Sequence, residues 1–170
     1  MDLQEFKIQV YPVKEKLFRL AKMMLLNKEE AEDTLQEVFL KLWMLRQGLP
    51  AYNSIEALAM KMTKNACLNK LKSQKVKKMV DVTYLDVDSG YETPYKSLER
   101  QDNMNAMYTI FEELPHQQKL IMHLRNVEGY SFEEIEQITG LSINNIRVIL
   151  SRARQQVKES YLKLNNYEID

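Results

Sequence analysis

The sequence "EGYSFEEIEQITGLSINNIRVILSRAR", residues 128–154, contains two amphipathic patterns on either side of a short turn. Ser131 and Glu134 have the spacing of a capping box, which predicts the start of the first helix. Gly140 supplies the backbone freedom for a sharp turn, and Ser142 can cap the second helix. Two short helices joined in this way form a helix-turn-helix pattern.

The second helix of this pattern has an apolar side and a polar side. At about 100° per residue, the apolar side holds Ile143, Ile146, Leu150, Ala153 and Val157. A helix in the major groove of DNA needs polar groups for base edges, an apolar group for thymine methyls and flanking arginines for phosphates. The polar side and its edges offer all three in the candidate DNA-binding residues Ser142, Asn144, Asn145, Arg147, Val148, Ser151, Arg152 and Arg154. The alternative is a surface helix with ordinary solubilising charges.

Charge is distributed unevenly along the chain. The 170 residues include 24 Lys and Arg and 24 Asp and Glu, so the formal net charge is zero. Residues 57–80 contain seven lysines and no acid, whereas residues 81–113 are mostly acidic. The total therefore hides two basic blocks, residues 57–80 and 147–163, on either side of an acidic segment.

Helical periodicity covers most of the chain outside the acidic segment. Pro12 suits the first turn of a helix. Asn27 and Glu30 have capping-box spacing for a second helix, which ends near Gly48. A third helix is predicted from about residue 54 to residue 78.

The acidic segment is predicted to be a linker. Residues 82–93 lack helical periodicity and precede Pro94. The predicted fold class is therefore all-α, with two small helical domains joined by an acidic linker, the C-terminal domain being the helix-turn-helix. The predicted bounds are residues 1–80, 81–96 and 97–170.

The sequence offers little for catalysis or metal binding. Cys67 is the one cysteine, and only His116 and His123 could join it as metal ligands. There is no phosphate-binding loop or catalytic triad pattern, and no run approaches the roughly 18 apolar residues of a membrane-spanning helix. We therefore expect a cytoplasmic protein with no catalytic activity, cofactor, metal site or membrane insertion.

Three stretches carry a family resemblance when they are taken together. They are "AEDTLQEVFLKLW" (residues 31–43), "MTKNACLNKLKSQK" (residues 62–75) and "LPHQQKLIMHLRNVEGYSFEEIEQITGLSINNIRVILSRAR" (residues 114–154). They resemble, in this order, the helix of sigma region 2, its basic continuation and sigma region 4. The chain is thus similar to the extracytoplasmic-function sigma factors, the small promoter-recognition subunits of bacterial RNA polymerase.

The resemblance implies that region 2 binds core RNA polymerase at the clamp helices of its β′ subunit. Acidic, amide and apolar side chains share the outward face of the second predicted helix and its flanks. The predicted polymerase-binding residues are Asp33, Gln36, Glu37, Leu40, Trp43 and Met44. Without the resemblance, Leu40, Trp43 and Met44 could equally pack against the first or third helix.

The resemblance also assigns the third helix to the minus-10 promoter element and the helix-turn-helix to the minus-35 element. A melted strand needs a pocket for a flipped base and cations along its phosphates. The predicted minus-10 residues are Tyr52, Asn53, Lys61, Lys64, Asn65 and Lys72. Leu58 and Ala59 stand where the family commonly has "WL", so the preferred minus-10 bases do not transfer.

Two other classes of protein stay open at this point. One is a helix-turn-helix regulator that binds duplex DNA as a dimer without being a polymerase subunit, and the other is a helical adaptor that has lost DNA binding. A sigma factor should bind core polymerase tightly and free DNA poorly, whereas a repressor should do the reverse. Because family members are commonly held by an anti-sigma factor, the resemblance implies such a partner as well.

Overall fold

The computed structural model describes residues 1–82 and 102–167, with side chains for residues 1–79 and 105–166, and these residues form an all-α fold, as predicted. The N-terminal lobe consists of α1 (Leu3–Gln9), α2 (Lys14–Leu25), α3 (Lys28–Met44) and α4 (Ile55–Val82), with single 3₁₀ turns at Tyr11–Val13 and Leu49–Ala51. The C-terminal lobe consists of α5 (Asp102–Glu112), α6 (His116–Met122), a π-helical turn at His123–Val127, α7 (Phe132–Thr139) and α8 (Ile143–Tyr167).

Side-chain caps fix where the helices of the N-terminal lobe begin. Asn27 caps α3 as predicted, because its side-chain oxygen accepts the Glu30 backbone N–H at 3.0 Å. The predicted return bond from Glu30 is wrong, since its carboxylate instead accepts Gln74 Nε2 of α4 at 2.6 and 2.8 Å. The Ser54 hydroxyl caps α4. The sequence pattern did not predict α1, because seven residues contain too few apolar positions to show a period.

Helix α4 ends close to the predicted start of the linker. Helix α4 continues to Val82, so residues 81 and 82 are helical and the predicted boundary at residue 80 falls inside the helix. The rest of the predicted linker and the start of the predicted C-terminal domain, residues 83–101, lie outside the described residues.

The helix-turn-helix forms as its local sequence predicts. Ser131 Oγ accepts the Glu134 N–H at 3.1 Å, and the Glu134 carboxylate accepts the Ser131 N–H at 2.7 Å. Gly140 ends α7 at φ 76°, in the left-handed region that disfavours other residues. Ser142 Oγ accepts the Asn145 N–H at 3.2 Å and so caps α8.

The apolar side of α8 packs into the C-terminal lobe. Ile146, Leu150 and Ala153 are buried there, together with Ile135 and Ile138 of α7. In the N-terminal lobe, α2, α3 and α4 pack on one another, and α4 also packs against α7. Both lobes therefore share a continuous apolar core in this structure.

Candidate nucleic-acid and partner interfaces

The outward face of α3 exposes two large apolar side chains. Leu40 is 61% exposed and Met44 is 70% exposed, so neither packs against the first or third helix. Trp43 is different: its ring meets Phe6 of α1 edge-on at 5.2 Å, and the Arg46 guanidinium lies 4.4 Å from its centroid. The structure therefore places Leu40 and Met44 on an open surface but holds Trp43 against the lobe.

Polar groups extend the face of Leu40 and Met44 toward the start of α3. Asp33 and Gln36 are exposed, whereas Glu37 is exposed but forms an ion pair with Lys70 of α4 at 3.4 Å. Next to Gln36, an open groove of about 510 Å³ lies between α2 and α3, with Phe39 in its lining. This surface has the mixture of apolar and charged groups that is typical of protein interfaces.

The predicted minus-10 residues lie along and before α4. Lys61, Asn65 and Lys72 are exposed and fall within one narrow stripe of the helix, because they are four and seven residues apart. Lys64 lies beside this stripe and is partly buried, and its burial, together with the charge of Lys61, lowers its pKa.

The loop before α4 contributes the two remaining predicted minus-10 residues. Tyr52 is 50% exposed directly after the 3₁₀ turn Leu49–Ala51, and Asn53 is exposed beside it. An exposed aromatic ring at the start of a basic helix is a suitable stacking partner for an unpaired base.

The predicted minus-35 residues share one open face of α8. The side chains of Asn144, Asn145, Val148, Ser151 and Arg152 are all exposed. Ser142 is also exposed, and its hydroxyl already accepts the capping hydrogen bond. The face thus combines amide, hydroxyl, guanidinium and apolar groups, which is the set needed to read base edges in a major groove.

The two edge arginines of α8 contact residues outside that helix. The Arg147 guanidinium lies 5.1 Å from the centroid of the Phe132 ring, and Arg125 lies 4.7 Å from the same centroid. Arg154 Nη2 donates to Asn126 Oδ1 at 3.2 Å. The sequence analysis did not identify Phe132, Arg125 or Asn126. An aromatic residue in the capped first turn of α7 could have indicated Phe132.

An arginine–glutamate pair joins the two lobes. Arg19 Nε and Nη2 each donate to a Glu128 oxygen at 2.8 Å, and the Glu128 side chain is only 1% exposed. Burial disfavours the Glu128 carboxylate, but the hydrogen bond and the charge of Arg19 outweigh burial and lower its pKa. The pair is bidentate, which adds geometric specificity to the contact between α2 and the turn before α7.

A second polar contact lies beside the pair of Arg19 and Glu128. Glu56 Oε1 of α4 accepts Lys16 Nζ and the Tyr130 hydroxyl, each at 2.6 Å. Burial and the hydrogen bond to Glu56 raise the pKa of Tyr130, so its hydroxyl stays protonated and donates. Together the two contacts connect α2 and α4 to the segment that enters the helix-turn-helix.

Of the three candidate metal ligands of the sequence, Cys67 and His123 are buried, whereas His116 is exposed. Burial raises the pKa of Cys67 to about 12, and burial lowers the pKa of His123, whose Nε2 lies 3.2 Å from Glu128 Oε1. Within residues 1–82 and 102–167, no group of three or more His, Cys, Asp or Glu residues could hold a metal ion. None of the helices in these described ranges is long and apolar enough to cross a membrane.

Comparisons with known proteins agree with this arrangement. Residues 12–76 match the family Sigma-70 region 2, and residues 104–157 match Sigma-70, region 4. The RNA polymerase sigma factor SigV of Bacillus subtilis (strain 168) is 28% identical over 141 residues, covering 82% of this chain and 81% of SigV. The RNA polymerase sigma-H factor of Pseudomonas aeruginosa is 21% identical over 168 residues, covering 94% of this chain and 87% of that protein.

Two solved structures share the fold. The sigma factor RpoE from Bartonella quintana, solved with the anti-sigma factor NepR, superposes with a TM-score of 0.73 at 21% identity and covers 94% of this chain and 98% of RpoE. CnrH, solved with the cytosolic domain of CnrY, superposes with a TM-score of 0.63 at 14% identity and covers 93% of this chain and 88% of CnrH.

The two sigma regions, in this order, define a sigma factor, which directs transcription initiation by RNA polymerase at promoter DNA. The chain belongs to the sigma-70 family as an extracytoplasmic-function sigma factor. The predicted family and function are confirmed, and the alternative of a dimeric helix-turn-helix regulator is not favoured. Sigma factors are transcription initiation factors rather than enzymes.

Proposed function

We propose that this sigma factor binds the β′ clamp helices of core polymerase through α3, the minus-10 element through α4 and the minus-35 element through α8. The observation that carries this proposal is the exposure of Leu40 and Met44 on a helix whose other apolar residues are buried or partly buried. In this assignment region 2 comprises residues 1–80, the acidic linker residues 81–96 and region 4 residues 97–170.

The polymerase-binding surface is assigned to Leu40 and Met44 with Asp33 and Gln36. Large apolar side chains on an open face gain most when a partner removes them from water, and acidic neighbours select a basic partner surface. Trp43 stabilises this surface indirectly, because its contact with Phe6 packs α3 against α1. Glu37 belongs to the same surface, and its carboxylate is paired with Lys70.

The minus-10 surface is assigned to the lysine stripe of α4 and the loop before it. Replacing Lys61 and Lys72 with alanine should reduce open-complex formation about tenfold, because each lost phosphate contact on a single strand removes about 0.7 of a released counterion. Permanganate reactivity of the minus-10 thymines measures strand opening. The control replaces Lys7 and Lys22, which are also exposed but lie on α1 and α2. Equal strand opening by both double variants would contradict the assignment.

Both promoter elements cannot be bound while the lobes stay packed together. Elements centred about 25 base pairs apart are separated by about 85 Å of DNA at 3.4 Å per base pair. A compact chain of this length has a diameter of only about 40 Å. The contacts of Arg19 with Glu128 and of Tyr130 with Glu56 must therefore open in the promoter complex.

Fluorescence transfer between the lobes tests this opening. Dyes on cysteines introduced at Lys7 and Lys163, both exposed positions, should show high transfer in the free protein and a large loss in the promoter complex with polymerase. Cys67 is buried and should stay unlabelled. A pair at Lys7 and Lys22, both in the N-terminal lobe, should keep its transfer. Unchanged transfer between Lys7 and Lys163 in an active complex would show that the lobes do not separate.

Three further properties follow from membership of the family. The protein works in the cytoplasm, where the polymerase is, and has no catalytic activity of its own. An anti-sigma factor holds it in the absence of the inducing signal, as the solved complexes of RpoE with NepR and of CnrH with CnrY support. Purification of the tagged protein from uninduced cells should therefore recover a partner that competes with core polymerase.

A further inference from the structure

We infer that Phe132 is a positioning residue for promoter binding, because its ring orders Arg147 above a groove that receives a DNA backbone phosphate. This inference rests on the proposed docking of α8 at the minus-35 element. It adds Phe132, which lies in the first helix of the helix-turn-helix, and a groove. Neither belongs to the outward face of α8.

The ring of Phe132 is the first observation. Phe132 opens α7 and is only partly buried, so part of its ring remains available after it has packed against the core. The guanidinium groups of Arg125 and Arg147 lie 4.7 and 5.1 Å from its centroid, within the range of a cation–π contact. Arg125 is itself fixed, because its Nη1 donates to the Tyr130 carbonyl at 2.7 Å.

The groove is the second observation. An open groove of about 400 Å³ lies between the start of α7 and the middle of α8, with Phe132 in its lining. Its charged lining residues are all basic, and they are Arg147, Arg154 and Lys158. Three cations without a carboxylate among the lining residues attract an anion, and the neighbouring recognition face makes a DNA phosphate the natural occupant.

The Phe132 ring contributes by restricting the motion of the Arg147 side chain. A free arginine side chain carries about 2 kcal/mol of rotamer entropy, which a phosphate contact must overcome. A guanidinium that already rests on an aromatic face loses less of this freedom on binding. The contact of Arg154 with Asn126 acts in the same direction at the other side of the groove. Phosphate affinity thus depends on residues that need not touch DNA.

The test replaces Phe132 with leucine or with tyrosine. Polymerase carrying the Phe132→Leu variant should bind a genomic fragment that supports run-off transcription about two- to fivefold more weakly, because a cation–π contact at an exposed site is worth roughly that factor. The Phe132→Tyr variant should bind as the parent does, because its ring is retained. Helix content and polymerase binding should stay the same in both variants.

A double-mutant cycle with Arg147→Ala separates positioning from packing. If Phe132 acts through Arg147, Phe132→Leu should have little further effect on promoter affinity in the Arg147→Ala background. An equal loss in both backgrounds, or a loss in the tyrosine variant as large as that in the leucine variant, would overturn the inference. If neither Arg147→Ala nor changes on the outward face of α8 alter minus-35 binding, the docking proposal itself fails and the inference fails with it.

Discussion

Replacing Leu40 and Met44 with glutamate should abolish co-purification with core RNA polymerase and all run-off transcription that depends on this sigma factor. Both side chains are exposed in the free protein, so the double variant should keep its helix content and thermal midpoint. In the complex, two carboxylates would enter a surface from which water is excluded, and an unpaired charge there is very unfavourable. We expect at least about a hundredfold loss of affinity for core polymerase, or about 2.7 kcal/mol, which is more than the roughly 2 kcal/mol that defines one interface hot spot.

The control for this prediction changes apolar residues of similar exposure on α1. Leu3 and Ile8 are 54% and 72% exposed, and their replacement with glutamate adds the same charge to the same lobe. That variant should retain polymerase binding, because α1 lies outside the assigned surface. Normal co-purification of a folded Leu40→Glu, Met44→Glu variant would remove the assignment of α3 to the polymerase.

The outward face of α8 should separate sequence recognition from phosphate binding. Replacing Arg152 with alanine should change which minus-35 sequences are used, by about 1 to 3 kcal/mol for each lost base contact, or roughly 5- to 150-fold. Arg152 is exposed in the middle of this face, next to Ser151 and one turn from Val148. Selection from promoter fragments with a randomised minus-35 element, bound by the assembled polymerase, measures the preference.

Arg147→Ala is the matched control for Arg152→Ala, because it removes the same charge from the edge of the same helix. It should weaken all minus-35 sequences similarly and flatten the salt dependence of binding by about one counterion. Selections at two salt concentrations distinguish the two effects. An Arg152→Ala variant that keeps the parental sequence preference would show that another face of α8 enters the groove.

Local rules explain why the helix-turn-helix could be predicted from sequence. The bonds between Ser131 and Glu134, the left-handed Gly140 and the Ser142 cap each involve groups no more than three residues apart. The buried side of α8 follows from helical periodicity for the same reason. The family resemblance, in turn, depends on the order and content of these local patterns, and the matches to both sigma regions confirm it.

Contacts between distant segments were decided only by the tertiary structure. Glu30 has the spacing to complete a capping box, yet it bonds Gln74, 44 residues away, because packing of α3 on α4 brings the Gln74 side-chain amide within reach. Trp43 shares its helix with Leu40 and Met44, but the ring of Phe6 makes it part of the lobe.

The sequence by itself therefore determined the helices, their capped turns and their apolar and polar sides, because hydrogen bonds and side-chain periodicity act over a few residues. The tertiary structure decided which polar groups are already engaged in the free protein. Arg19 and Glu128 are 109 residues apart, and no local pattern pairs them until the lobes pack. The same holds for Phe132 and Arg147, whose contact depends on the angle between two helices and not on their sequences alone.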